Sequence, residues 1–245
     1  MKKRFTKMMV KGALMSILCL AIQMTDAVAQ DDSKFSFDVS LNSDTFFGFY
    51  PFFQGSYSVT ESLDFTFYGI LWSGGTGGGW GNWTEFGVGL NFPVAEGINV
   101  NPQIGVLGGN LLSSGTAGPA IFGDGIVPNL TIGLDKAKTE GQIYLGYYAP
   151  LRNETVGTQT TLSYLHYWAN FGFKASSFFS LGAHFEHLVN TGGSEVESST
   201  DVYQWLGPYV QFSRPSGGAF ARLSFGTDLV EGRDSFFKLT TGFSF

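Results

Sequence analysis

Cysteine and methionine are scarce in this chain of 245 residues, which has one cysteine and five methionines. All six lie among the first 24 residues, so the rest of the chain contains no sulfur. Without thiols that part can form no disulfides, and its stability must come from a closed, hydrogen-bonded structure. Cys19 follows Leu18. A lipoprotein would have a small residue immediately before its cysteine, so we expect no lipidation.

The N-terminal segment lacks an apolar run long enough to cross a membrane as a helix. Its apolar core, residues 13–22, is well below the ~20 residues that a spanning helix needs. Five basic residues precede this core, and a small-x-small site, Ala27-Val28-Ala29, follows it. This order is typical of a secretory signal peptide. We therefore expect residues 1–29 to be a signal peptide and residues 30–245 to form one mature domain.

Basic charge is also scarce beyond that segment. Five of the 14 basic residues and one of the 20 acidic residues lie in residues 1–29, which leaves 9 basic and 19 acidic residues. Nucleic acids and anionic lipid heads are bound by basic patches. The composition therefore argues against both as partners and fits an exported protein with acidic loops.

After residue 30 the chain has no helix-period segment of useful length. It shows instead a strict alternation of apolar with small or polar residues. Near the end of the chain, Phe237, Leu239, Thr241, Phe243 and Phe245 fall on one face, with small and polar residues between them. A period of two with unlike faces indicates a β-strand between two different media. Twelve such stretches are predicted: 34–42, 45–60, 63–73, 83–93, 98–112, 126–136, 142–151, 160–174, 178–190, 202–214, 219–230 and 234–245.

Short turns and longer loops alternate between these strands, which is the arrangement of a transmembrane β-barrel. The apolar set Phe86, Val88 and Leu90 alternates with small or polar residues beginning at Glu85. An interior that is polar and an exterior that is apolar indicate a lipid environment, because a soluble barrel would have the reverse. We predict an all-β, antiparallel up-and-down barrel of twelve strands. Ten strands with a plugging N-terminal segment are the alternative.

The alternating terminal strand that ends on Phe245 resembles the last strand of bacterial outer-membrane β-barrels. That resemblance implies a Gram-negative outer-membrane location and an assembly-signal role for Phe245. Outer-membrane lipid, lipopolysaccharide and the barrel-assembly machinery are then its expected partners. In strand number the chain is similar to small monomeric porins, and no cofactor is implied.

Charged and aromatic side chains on the inward faces are the candidates for lining a pore, because such groups select solutes. Acidic residues outnumber basic ones among them, which suggests a mild acidic bias. The predicted lumen-lining residues are Asp38, Glu85, Asp135, His166, Lys174, His184, Glu186, Tyr209, Arg222, Asp228 and Lys238. We expect a pore for small hydrophilic solutes, or alternatively a structural or surface barrel with a filled lumen.

Two further sites depend on histidine. His166 and His184 face inward from neighbouring strands beside Glu186, a set that could hold a metal or hydrogen-bond within the lumen. His187 has the opposite parity, toward lipid, and Ser163 shares it. A Ser–His pair is the minimum for nucleophilic acyl transfer, so Ser163 and His187 are candidates for a lipid-face acyl hydrolase. We expect no enzymatic activity and no bound metal.

Overall fold

Twelve antiparallel strands form the protein in the computed structural model, which describes residues 34–72, 83–109, 111–113, 121–152, 161–194 and 196–245. The predicted signal peptide lies outside the described residues. The strands are β1 (Phe35–Asp44), β2 (Gly48–Thr60), β3 (Leu63–Trp72), β4 (Trp83–Ala95), β5 (Ile98–Gly109), β6 (Ile121–Asp135), β7 (Thr139–Pro150), β8 (Leu162–Lys174), β9 (Phe179–Gly193), β10 (Thr200–Ser213), β11 (Ala219–Asp228) and β12 (Ser235–Ser244). Over these described ranges, no helix is both long and apolar enough to cross a membrane.

Each strand pairs with its neighbours in sequence, and β12 pairs back with β1, so the sheet closes on itself. In the closing seam Val39 lies opposite Phe243, and the Phe245 N–H donates to the Phe37 carbonyl at 2.9 Å. Closure removes the unpaired edge that an open sheet would present to lipid. The predicted twelve-strand, up-and-down barrel is confirmed, and the ten-strand alternative is wrong.

The two faces of the wall differ as the alternation predicted. On β4, Phe86, Val88 and Leu90 are 40–47% exposed on the outside, whereas the neighbouring Glu85 is fully buried inside. Because apolar side chains cover the exterior and polar ones lie within, lipid is the medium that suits this surface.

Most strands begin or end one to three residues away from the predicted boundaries, and the starts of the second and sixth strands show the differences that matter here. The predicted second strand began at residue 45, but residues 45–47 form a turn and β2 begins at Gly48. Gly48 has a φ of 71°, a left-handed conformation that ends the turn and that glycine adopts without strain. The sixth strand begins at Ile121 rather than 126.

The barrel has two unlike ends. One, the short-turn rim, has the chain connections 61–62, 96–97, 136–138, 175–178 and 214–218. The other, the long-loop rim, has the 45–47 turn and the remaining connections. Both ends of the described chain, Lys34 and Phe245, lie at the short-turn rim.

Candidate functional site in the barrel interior

A cavity of about 310 Å³ lies inside the barrel. This volume is at the small end of the roughly 300–1,000 Å³ typical of ligand pockets. Ten strands contribute side chains to its lining, all except β4 and β10. Its amide side chains include Gln54, Gln103, Asn129, Gln142 and Asn170. Its aromatic side chains include Tyr50, Tyr68, Trp72, Tyr144 and Trp168.

The turn between β1 and β2 folds into the long-loop end of the barrel. Asp44 Oδ1 accepts hydrogen bonds from the backbone N–H groups of Phe46 and Phe47, at 3.0 and 2.6 Å. This cap directs both rings inward, so that Phe47 is only 5% exposed. Its ring centroid lies 4.5 Å from Trp72 of β3, and the Phe46 centroid lies 4.9 Å from Tyr203 of β10. We call Phe46, Phe47, Trp72 and Tyr203 the aromatic plug, because they span the interior.

Glu186 is the centre of a buried polar cluster beside the plug. Its side chain is fully buried, and Lys238 Nζ donates to its Oε2 at 2.6 Å. Its Oε1 lies 2.9 Å from His166 Nε2 and accepts from the Tyr203 hydroxyl at 2.8 Å. His184 Nε2 lies 3.3 Å from Oε2. Several donors therefore compensate the cost of burying this carboxylate.

Two other buried carboxylates are held by neutral donors of the wall. Glu85 accepts hydrogen bonds from the Tyr68 hydroxyl at 2.7 Å and from Trp72 Nε1 at 3.3 Å. Glu140 accepts from the Tyr209 hydroxyl at 2.9 Å and from Gln211 Nε2 at 3.1 Å. These bonds fix both acids within the wall, and neither lines the cavity.

Among the described residues, Arg222 and Lys238 are the permanently charged side chains that line the cavity. Arg222 Nε donates to Gln211 Oε1 at 2.8 Å. Its guanidinium carbon lies 4.9 Å from the ring centroid of Tyr209 and 5.6 Å from that of Phe220. Both contacts are within the range of cation–π interactions, so the side chain is positioned by neutral partners.

Known proteins resemble this chain in family and in fold. A model described as family of unknown function, DUF6733, matches residues 1–245. The chain belongs to this family. Among solved structures, it is similar to the NanC porin, with 11% identity and a TM-score of 0.51 over 85% of this chain and 98% of that one. It is also similar to an outer membrane channel from Pseudomonas putida F1, with 11% identity and a TM-score of 0.52 over 89% of this chain and 100% of that one. No curated protein sequence matches it. At such identities both likenesses show the fold alone.

In this DUF6733 member, four of the predicted lumen residues line the cavity: His166, His184, Arg222 and Lys238. Three others are buried in the clusters just described: Glu85, Glu186 and Tyr209. Among the described residues that line the cavity there is no aspartate or glutamate, since Glu85 and Glu186 are buried and bond to other side chains of the barrel.

The remaining four predicted lumen residues lie toward the rims. At the short-turn rim, Lys174 forms an ion pair with Asp135, and Asp38 accepts from Gln54 Nε2 at 3.3 Å. At the long-loop rim, Asp228 accepts from Trp205 Nε1 at 3.2 Å. Each is part of a local rim contact, and none lines the cavity.

Sequence reasoning missed the cavity amides and the aromatic plug. Gln103, Gln142 and Asn170 have inward parity, so alternation combined with side-chain type could have identified them. For the plug, the signal was Asp44 before Phe46-Phe47-Gly48, a capping acid ahead of a glycine.

The contacts of the histidines differ from the metal site and the Ser–His pair that the sequence suggested. His166 and His184 both contact Glu186 within a hydrogen-bonded cluster. Among the described residues, no group of three or more His, Cys, Asp or Glu side chains could hold a metal ion.

Ser163 and His187 are not neighbours. The register places Ser163 opposite Gly192, whereas His187 lies opposite Tyr167, four positions further along β8. The Tyr167 hydroxyl lies 2.8 Å from His187 Nδ1, and Asp201 Oδ1 lies 2.8 Å from His187 Nε2. Both ring nitrogens are therefore occupied, and the arrangement lacks the Ser–His contact that acyl transfer needs.

Proposed function

We propose that this protein is an outer-membrane channel for small hydrophilic solutes. The observation that carries the proposal is the polar cavity of about 310 Å³ inside a closed barrel with an apolar exterior. An apolar exterior suits lipid, and a cavity lined by amides and hydroxyls can replace part of a solute's hydration shell. Phe245 as an assembly signal and lipopolysaccharide as a neighbour belong to the same proposal.

The amides are well placed for this role because they surround the cavity. Gln54, Gln103 and Gln142 belong to β2, β5 and β7. Each amide can both donate and accept hydrogen bonds, so solutes rich in hydroxyl groups find partners in several orientations. The fold supports the same function, since the two structurally similar proteins above are a porin and an outer membrane channel.

The aromatic plug sets the size limit of the proposed route. Phe47 lies between the long-loop rim and the cavity, with its ring 4.5 Å from Trp72 and 6.3 Å from Tyr203. Passage therefore requires these rings to rotate or the 45–47 turn to shift, and only small solutes should pass.

Proteoliposome swelling tests the proposal. Protein refolded into liposomes is exposed to arabinose, glucose and raffinose, and the swelling rate reports entry. We expect arabinose to enter, raffinose to be excluded, and Phe47→Ala to raise the rates for the smaller sugars. Phe171→Ala is the matched control, because Phe171 is 61% exposed on the outer face. Absence of swelling with both the wild type and Phe47→Ala would overturn the channel.

A structural barrel with a filled lumen is the second candidate. The aromatic plug and the buried cluster around Glu186 favour it, because together they occupy the long-loop half of the interior. On this alternative Phe47→Ala lowers stability and opens no path. The same swelling experiment therefore separates the two functions.

A further inference from the structure

The charge in the cavity has the opposite sign to that of the chain. The whole chain has a net charge of −6. Among the described residues that line the cavity, however, there is no aspartate or glutamate, whereas Arg222, Lys238, His166 and His184 are all present. A solute in the cavity therefore meets the cations Arg222 and Lys238, while Glu85, Glu140 and Glu186 bond to other side chains of the barrel.

The two cations are not equivalent. Lys238 donates to Glu186 at 2.6 Å, so its charge is balanced within the protein. Arg222 has a hydrogen bond to the neutral Gln211 and packs against two rings. No carboxylate of the described residues lies within ion-pair distance of it. Arg222 is thus the cavity cation that no carboxylate contacts directly; the nearby Glu140 is connected to it through Gln211 and Tyr209.

Hydroxyl and amide groups extend from Arg222 around the wall in a cross-strand row. Arg222 on β11 lies opposite Thr240 on β12, and Thr240 lies opposite Asn42 on β1. Thr240 Oγ1 donates to Asn42 Oδ1 at 2.9 Å, and all three side chains line the cavity. Next to the cation, the row presents groups that bond to hydroxyls.

We propose that the cavity binds a small hydroxylated carboxylate, of the sugar-acid class and no larger than one sugar ring. The carboxylate pairs with the guanidinium of Arg222, whose planar set of donors suits two carboxylate oxygens at once. The hydroxyls bond to the row and to the amides across the cavity, and the volume of about 310 Å³ excludes longer chains. The inference deepens the proposed function by naming the solute class, and it rests on the same cavity.

Calorimetric titration of the folded protein in detergent micelles tests this binding. The probes are D-glucuronate and D-glucose, which differ by a carboxylate. A hydrogen bond to a charged group corresponds to roughly a tenfold to hundredfold change in affinity. We expect wild type to bind glucuronate at least ~10-fold more tightly than glucose.

Arg222→Gln should abolish this preference by weakening the binding of glucuronate. The matched control is Arg214→Gln, which removes the same charge from the exposed 214–218 turn and should keep the preference. Arg222→Lys, which keeps the charge without the planar set of donors, should keep part of it.

Equal binding of the two probes by the wild type would overturn the proposal, as would a folded Arg222→Gln variant that keeps the preference. If Arg222→Gln does not fold, the wild-type comparison alone decides. Binding in micelles does not require conduction. Glucuronate binding without swelling would thus refute the channel alone, and swelling without a glucuronate preference would refute the solute class alone.

Discussion

Neutralising Glu186 should be one of the most damaging single changes in the barrel wall. Glu186→Gln keeps the size of the side chain but removes the charge that balances Lys238, whose side chain is only 13% exposed. Breaking a buried ion pair by removing one partner typically costs ~3–5 kcal/mol. The hydroxyl of Tyr203 and the ring of His166 also lose a charged acceptor. We therefore expect a loss of about 3 kcal/mol or more, which is roughly a hundredfold in the unfolding equilibrium constant.

The assay is urea unfolding in lipid vesicles, followed by tryptophan fluorescence. Asp135→Asn is the matched control, because it also removes the acid of a lysine ion pair. Here, however, the side chain of Asp135 is 80% exposed. Such an exposed pair should be worth less than about 1 kcal/mol. Lys238→Met combined with Glu186→Gln completes a double-mutant cycle. The pair should cost less than the sum of its singles by ~1–3 kcal/mol. If Glu186→Gln costs no more than Asp135→Asn, or if the two singles add, the cluster does not have the role that its contacts indicate.

Three further changes test the packing of the wall and the hydrogen bonds of a buried acid. A Cβ added at Gly172 would overlap the Tyr209 hydroxyl, whereas one added at Gly133 would meet nothing within 4 Å. In the same unfolding assay Gly172→Ala should cost ~1–3 kcal/mol, and Gly133→Ala should be within about 0.5 kcal/mol of wild type; equal effects would contradict the packing. Asp124 is fully buried and accepts hydrogen bonds from the backbone N–H groups of Leu112 at 2.8 Å and Ser113 at 3.1 Å. Asp124→Ala should therefore speed hydrogen exchange at those two amides, and unchanged protection would show that other contacts hold the segment.

Strand number and the two faces could be predicted from the sequence because both follow from local alternation. On β4 the apolar residues at 86, 88 and 90 were assigned to the outside by parity alone, and they are exposed there. Parity also assigned Glu186 to the inside. No knowledge of distant contacts was needed for either assignment.

The partners of the buried acids could not be predicted, because they depend on register across distant strands. Glu186 and Lys238 are 52 positions apart, and Glu140 and Gln211 are 71 positions apart. A one-residue change of register would separate either pair. Ser163 and His187 show the same limit: their parity alone made them look like neighbours, but the register separates them.

The aromatic plug was missed for a different reason. Phe46 and Phe47 have the aromatic character of strand residues, and the second strand was therefore predicted to begin at residue 45. What turns the chain is the Asp44 carboxylate, which caps the two following backbone N–H groups. A side-chain-to-backbone bond of this kind competes with the strand ladder and is invisible to periodicity.

The channel itself is tested most directly by single-channel recording of the refolded protein in planar bilayers. We expect discrete conductance steps from the wild type, larger steps from Phe47→Ala, and wild-type steps from Phe171→Ala. A reproducible absence of steps from the wild type and from Phe47→Ala alike, with the protein shown to be inserted and folded, would contradict the channel and leave the filled structural barrel.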